Sequence, residues 1–535
     1  MAEFSSIIHT SIHTSIQSVV ALVTSHPLIL LFVLWFLRAA IRRYYSPLRS
    51  FPGPFLASIS RTWKFISIAR GHTHLDFIAL HQKYGPIVRT APDELSFASP
   101  QIARTILSAG KGFYKTSFYA VFPPPENPDI FTEIREDVHA IKKRVANVPY
   151  SMAAMRQLSP FIDDTIDLFV SQLAEFCVDL EVGKSVPLDV GGRGKVDLGA
   201  WLHYFAFDVL GEVAFSRSFG FLAAGRDVEG AIKTIDDMQT YNGLVGQIPI
   251  LDYLLRRNPM WKYVLALNPG NSLITRIALD ELSKRKPFDE NAEGPSKDGR
   301  RDLLGSLIKG HLKEGSGFGE GDVFAVAHGA IFAGSDSTAS TMQSFFHYIL
   351  SVPEILGHLQ QELKSAMADG SVPKEGNIEY TQALDLSYFQ ACLKEAMRLR
   401  PAVGLNITRH VPKDGIELDG VVLKGDTRVA VNGWVLHRHK ETFGQDADVF
   451  RPERWLEDEE KAKKMDRFMF QFGGGAHVCI GRNLAILEIN KVIPRLLRDF
   501  NFELVHPSQP LKAHASFFVV QEGLNVFIEK NSSGV

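Results

Sequence analysis

The spacing of hydrophobic and polar positions changes several times along the 535 residues. Over 18–37 polarity nearly vanishes: SVVALVTSHPLILLFVLWFL holds no Asp, Glu, Lys or Arg. A run of that length is about what a helix needs to cross a bilayer. Arg38, Arg42, Arg43 and Arg49 follow. Basic flanks stay in the cytosol, so the chain beyond them is expected on that side and residues 1–17 in the lumen. A cleaved signal peptide would have a shorter apolar run, with its charge ahead of it. Residues 38–54, basic and closed by the stiff turn Phe51-Pro52-Gly53-Pro54, read as a linker to one large domain over 55–535.

Within that domain a period near 3.6 prevails. It predicts a helix near 72–84 and mostly helical structure over 150–350. A long helix is expected from 321 to 351, ending before Pro353, and another over 384–399, stopped by Pro401. A final helix follows Gly481. Alternation of period two is brief, at 86–90, at 95–98 and in small hairpins between 404 and 432, with further short strands after the last helix. The polar stretch 286–302 reads as a surface loop. No internal repeat stands out. The expected fold is mainly α with small peripheral β-sheets, and not a βαβ doubly wound sheet.

Composition narrows the function. Lys and Arg number 58 against 60 Asp and Glu, a net charge of −2, without the basic excess that general nucleic-acid binding requires. The three cysteines, Cys177, Cys392 and Cys479, are too few and too scattered for a disulfide framework or a four-cysteine zinc site. A reducing, cytosol-facing compartment fits them.

Cys479 has the most unusual surroundings. It sits in FGGGAHVCIG over 472–481, just before an apolar helical pattern. Unpaired amides and the dipole at a helix start favour a thiolate, so its pKa is expected to fall. Gly473, Gly474, Gly475 and Gly481 let backbone approach a flat ligand without Cβ clashes, and His477 can donate to an anionic group on its rim. A buried structural cysteine beside a glycine turn is the plainer alternative. Elsewhere, Glu395 and Arg398 share one helix face. Such pairs are common on solvated helices, but Arg454 offers a third partner for a buried cluster. The predicted long helix also contains Ala333-Gly334-Ser335-Asp336-Ser337-Thr338, four polar residues inside an apolar run. Gly334 leaves a gap for a small ligand, and Asp336, Ser337 and Thr338 are candidates for a proton relay. Hydroxyls bonding back to carbonyls four residues earlier would explain them equally well.

Together these segments resemble the cytochrome P450 family of haem-thiolate monooxygenases. The family's F-x-x-G-x-(R/H)-x-C-x-G motif is met by Phe472, Gly475, His477, Cys479 and Gly481. Its E-x-x-R resembles Glu395 and Arg398, its P-E-R-F segment resembles Pro452-Glu453-Arg454-Trp455, and its A-G-x-(D/E)-T-T stretch resembles Ala333 through Thr338. Two substitutions stand out. Histidine replaces the commoner arginine at 477 and binds a haem propionate less well once neutral. Serine replaces the first alcohol at 337, leaving open whether Ser337 or Thr338 relays protons. The W-x-x-x-R motif survives only as His139 and Lys143. Among members of the family, microsomal fungal enzymes of secondary metabolism, the pisatin demethylase type included, look most similar.

The resemblance implies haem b with Cys479 as axial iron ligand. His139, Lys143, His477 and Arg409 become candidates for its propionates, and Glu395, Arg398 and Arg454 for a structural cluster. It also implies O2, electrons from NADPH through cytochrome P450 reductase with cytochrome b5 as an accessory donor, and an endoplasmic-reticulum anchor. Lys142, Lys143, Arg144, Lys463, Lys464 and Arg467 are expected to form a basic docking patch for the reductase. The 115–130 loop with Phe118 and Phe122, the 238–252 region, Ala402 to Leu405 and Ser516 to Val519 are expected to wall a pocket for a terpenoid, polyketide or alkaloid. A haem-thiolate isomerase or dehydratase working without O2, and a silent haem-binding membrane protein, are the competing readings.

Overall fold

The structure is a computed structural model that describes residues 27–122, 127–177, 194–258, 260, 273–288 and 302–531. Helices dominate, as the 3.6 period requires. The first is α1 (Pro27–Tyr44), and seven more position the site: α2 (Pro100–Leu107), α3 (Glu136–Ala146), α4 (Leu198–Phe215), α5 (Ala231–Val245), α6 (Glu320–Ser351), α7 (Ser387–Leu399) and α8 (Arg482–Asp499).

Helix α6 has 32 residues, so at 1.5 Å per residue it spans about 48 Å. It crosses the molecule and packs against α4, α7 and α8. Asp322 reaches back to the amide of Gly319 and fixes its start, and Pro353 opens the next helix at its end. Both ends lie within a residue of expectation. Helix α4 is buried on nearly every side, which its near-continuous apolar sequence permits. One large core joins α4, α6, α7 and α8 around Phe205, Phe345, Phe346 and Phe389.

The strands are peripheral, and their pairing is less local than the predicted hairpins. Strands β1 (Ile87–Ala91), β2 (Glu94–Phe97), β3 (Tyr114–Lys115), β4 (Ile407–His410) and β5 (Arg428–Val431) form one sheet in the order β1-β2-β5-β4-β3. β2 runs parallel to β5, with Leu95 opposite Val429, and the other pairs are antiparallel. Only Ile416–Leu418 with Val421–Leu423 makes the expected small hairpin within 404–432. The predicted helix over 384–399 is two helices, Tyr380–Leu384 and α7.

Of the apolar run 18–37, residues 18–26 lie outside the described residues. The remainder begins α1, whose Leu31, Phe32, Leu34, Trp35, Phe36 and Leu37 are exposed. Among the described residues no helix is long and apolar enough to cross a membrane. Most of the predicted loop 286–302 and residues 123–126 of the 115–130 loop also lie outside the described residues.

Candidate active site

An internal cavity of about 300 Å³ opens between α6 and the segment that carries Cys479. Cys479, Gly334, Ser337, Thr338, His139, Lys143, His477 and Arg409 all line it. So do Phe472 and Gly481. Gly475 does not.

The Cys479 segment is shaped by backbone. The Cys479 amide donates to the Phe472 carbonyl at 2.8 Å and the Gly473 amide to that of Phe470 at 2.9 Å. Gly473 and Gly475 have φ of +72° and +59°, the left-handed region that glycine enters without strain. A Cβ on Gly475 would stand 1.8 Å from the Leu107 carbonyl, and one on Gly474 would stand 3.2 Å from Leu107 Cβ. These two glycines therefore let the segment press against the end of α2. Of the four glycines expected to admit a flat ligand, Gly473, Gly474 and Gly481 line the cavity and Gly475 does not.

Cys479 opens onto the cavity, while dense packing surrounds its other sides. Burial pushes its thiol above the ordinary range. The amides of Gly481 and Arg482 and the charge of Lys143 pull the other way without winning. The expected fall in pKa from the start of α8 is thus outweighed by desolvation. Coordination to a cation would deprotonate such a sulfur outright.

The polar edge of the cavity is cationic. Lys143 donates to the carbonyls of Ala476, at 2.6 Å, and Val478, at 2.8 Å, tying α3 to the Cys479 segment. Arg409 donates to the Tyr119 hydroxyl at 2.9 Å. Lys115 donates to the carbonyls of Ile130, Phe131 and Glu133, and burial, then the nearby Arg409, lowers its pKa to about 7. The His139 and His477 rings lie 4.3 Å apart. His477 Nε2 pairs with Glu136 at 3.0 Å, while its buried Nδ1 and Glu136 Oε1 have no partner. With Nε2–H spent on Glu136, Nδ1 can donate only when the ring is cationic. Burial opposes that state and the Glu136 bond favours it. Glu136, His139 and His477 together have the spacing of a metal site, but Lys115, Lys143 and Arg409 around them suit an anion better.

These features fit haem. A single thiol lines the cavity, apolar walls suit the macrocycle, and an orphaned imidazole nitrogen among cations suits its carboxylates.

Glu395 is buried at the heart of a cluster that holds the Cys479 segment from behind. Its carboxylate accepts from Arg398 Nε and Nη2 at 2.8 Å each, Arg454 Nε and Trp455 Nε1 at 2.9 Å each, and the Arg451 amide at 3.0 Å. Burial alone would raise its pKa; Arg398 and Arg454 more than reverse that and hold it below the ordinary range. Arg398 also donates to the carbonyls of His437, at 2.7 Å, and Ala447, at 2.6 Å. His437 in turn accepts from the Phe470 amide at 2.8 Å. The cluster is thus linked by hydrogen bonds to the entrance of the cysteine segment.

On α6 the polar residues divide. Ser337 and Thr338 face the cavity, and their hydroxyls donate back to Ala333 and Gly334 at 2.9 and 3.0 Å. Asp336 does not line the cavity. It pairs with His203 of α4 at 2.8 Å and accepts from Gln239 of α5. The expected relay is therefore split: the alcohols point inward, and the acid serves helix packing. Gly334 leaves less room than expected, since its Cβ direction meets Leu210 at 3.1 Å.

The cavity's apolar wall comes from Phe122, Phe131, Phe332, Val403, Phe517 and Phe518. No residue from 238–252 contributes, because that stretch packs behind Phe118 and Leu405, which are themselves off the lining. Of the expected basic patch, Lys142 is buried on Asp322 and Glu133, Lys143 is tied down as above, and Lys463 pairs with Glu459 and Glu460. Arg144, Lys464 and Arg467 stay exposed. Lys115, Tyr119 and Glu488 line the cavity without having been singled out. Glu488 alone had a readable signal, a carboxylate inside an apolar helical run.

The Cytochrome P450 family profile matches residues 52–527. This chain belongs to the cytochrome P450 family. It is 33% identical to a pisatin demethylase of Fusarium vanettenii over 92% of this chain and 90% of that one. It is 32% identical to cytochrome P450 monooxygenases of Emericella nidulans and Penicillium aethiopicum, each over 92% of this chain and 95% of theirs. As a P450 monooxygenase it is an oxygen-incorporating oxidoreductase. Haem iron is its cofactor, with NADPH-derived electrons from a reductase, and O2 and a small molecule are its substrates.

Proposed function

We propose that this P450 oxidises a lipophilic secondary metabolite, by hydroxylation or a related oxidation, at the cytosolic face of the endoplasmic reticulum. The observation that carries the reading is the cavity itself, with one thiol facing the Ser337, Thr338 and Thr341 turn of α6 on a largely aromatic and aliphatic lining. Cys479 Sγ would hold the haem iron, and His139, Lys143, His477 and Arg409 would hold the carboxylates. Haem bound there supplies oxygen activation and the oxidising equivalents. The side chains do the rest. Phe122, Phe332, Phe517 and Phe518 exclude water and orient an apolar guest. Ser337 and Thr338 offer exchangeable protons on the cavity side of α6.

Terpenoids, polyketides and alkaloids suit these walls, which are mostly apolar with isolated polar points. The apolar run 18–37 with its arginine flank supports a single-pass anchor. Exposed Arg144, Lys464 and Arg467 remain as a reduced docking patch for an acidic reductase surface.

The test is turnover of a panel of such metabolites by membranes carrying the full chain and its reductase, under labelled O2. The reading predicts NADPH-dependent product containing the label. Product formed without NADPH and O2 would overturn it.

A further inference from the structure

Asp129 is buried where the turn 129–133 meets α6, and it lines the cavity. That turn is held twice. Asp129 Oδ1 accepts from the Thr132 amide at 2.7 Å and from the Thr132 hydroxyl at 2.8 Å, and the Glu133 amide closes on the Asp129 carbonyl at 2.9 Å. The buried ammonium of Lys115 on β3 donates to the carbonyls of Ile130, Phe131 and Glu133 at 2.9, 2.8 and 3.1 Å. Its three hydrogens are thereby spent, and none is left for the Asp129 carboxyl.

The second oxygen, Oδ2, takes no hydrogen bond or ion pair from any described side chain. It lies against Gly329 of α6, where a Cβ would stand 2.2 Å from Oδ2 and 3.3 Å from Cγ. Glycine is a poor residue for the middle of a helix, and at 329 it leaves the space that the carboxyl fills. Gly329 is itself on the cavity lining, and the α6 residues about it there, Val326, Ala330 and Phe332, are apolar. Burial raises the Asp129 pKa, opposed by the Thr132 bonds and then by Lys115. A carboxylate at this wall carries a desolvation cost that a cation beside it would offset. Lys143, His477 and Arg409 are assigned above to the carboxylates of the haem, so that cation has to come with the guest.

We propose that Asp129 anchors a basic nitrogen, and that this cavity selects lipophilic amines, alkaloid-like molecules whose ammonium donates to Oδ2 while their rings lie on the aromatic wall. A neutral hydroxyl can reach the same oxygen but leaves its charge unmatched. The inference deepens the proposed function and rests on it, choosing among the three substrate classes named there. Asp129 sets specificity; it supplies neither protons nor electrons to the reaction. Its capping of the turn uses Oδ1 alone, a task that asparagine performs equally well, so the two roles can be separated.

The test is a spectral titration of the full, haem-loaded ferric chain with N-methyltetrahydroisoquinoline and with its carbon isostere, methyltetralin. Binding is read by the blue shift of the Soret band as water leaves the iron. The wild type should bind the amine about tenfold or more tightly than the isostere, the gain expected of one charge-assisted bond in a buried site. Asp129→Asn keeps the acceptor for Thr132 and should abolish that preference by weakening the amine and not the isostere. Gly329→Ala, which drives the carboxyl from its seat, should lower the preference too.

Equal affinities in the wild type, or no shift with the amine, overturn the proposal. So does a red shift with the amine, which would put its nitrogen on the iron, and so does a preference that survives Asp129→Asn. If that variant does not hold haem, the wild-type ratio and Gly329→Ala decide, and a preference indifferent to Gly329→Ala overturns it. Failure of the wild type to give the carbon monoxide band would instead sink the haem-thiolate reading on which the inference rests.

Discussion

Removing the Glu395 carboxylate is the most searching perturbation of the scaffold. Five donors converge on its two oxygens, two of them from a fully buried Arg398. Glu395→Ala leaves the Arg398 charge in the core with only carbonyl partners. Breaking one side of a buried pair costs about 3–5 kcal/mol, or a factor of about 10² to 10⁴ in the folding equilibrium. Glu395→Gln should fare little better, because its NH2 group would confront guanidinium N–H groups that need an acceptor. Lys463→Ala is the control: its partners Glu459 and Glu460 are exposed, and such pairs contribute about 0–1 kcal/mol. The assay is urea unfolding, read both by circular dichroism and by the red-shifted Soret band of the reduced carbon monoxide complex. Both Glu395 variants should shift the midpoint well below that of Lys463→Ala. They should lose the Soret band at least as early as helicity, because Arg398 reaches the cysteine segment through His437. A Glu395→Ala midpoint matching that of Lys463→Ala would refute the reasoning.

Three further outcomes are expected. Gly475→Ala adds a methyl 1.8 Å from the Leu107 carbonyl at a φ of +59°, so it should displace the cysteine segment and reduce the haem content of purified protein. Retention of wild-type haem content would contradict the packing described. Acid should destabilise the fold through buried histidines. Burial lowers His437 and His74 to about 3 and His328 to about 4, from 6.5. The unfolded chain therefore binds protons first, and stability present above pH 6.5 is lost as pH falls toward those values. Each group contributes a slope of up to about 1.4 kcal/mol per pH unit. His437→Gln should flatten that slope in denaturant titrations between pH 6.5 and 5, and an unchanged slope would count against a neutral His437. Phe517→Ala should enlarge the substrate end of the cavity and change the relative turnover of large and small substrates. Identical selectivity would place the substrate elsewhere.

Much of the fold was legible because α6, α8 and the helix at Thr73–Tyr84 carry long periodic patterns with clear stops. The sheet was not, since β2 meets β5 across more than 300 residues and no local pattern records that pairing. The site divided in the same way. Contiguous motifs pointed to Cys479, His477, Ser337 and Thr338, and the structure brings all four to one cavity. Lys115 and Tyr119 lie in the 115–130 loop expected to wall the pocket, but nothing in the pattern separates them from its apolar residues as the polar edge beside Arg409. Asp336 shows the reverse: two positions along a helix turn a side chain by about 200°, so the acid points to His203 while Thr338 points inward. The basic run at 142–144 misled by composition, because charge count does not reveal that Lys142 is buried on Asp322.

The central claim is that Cys479 holds the haem iron as a thiolate at the floor of this cavity. The direct measurement is the carbon monoxide difference spectrum of the reduced full chain, beside that of Cys479→Ala carrying the same amount of haem. The account predicts the red-shifted Soret band in the wild type and its complete loss in the variant. A variant that kept both the band and turnover would contradict it.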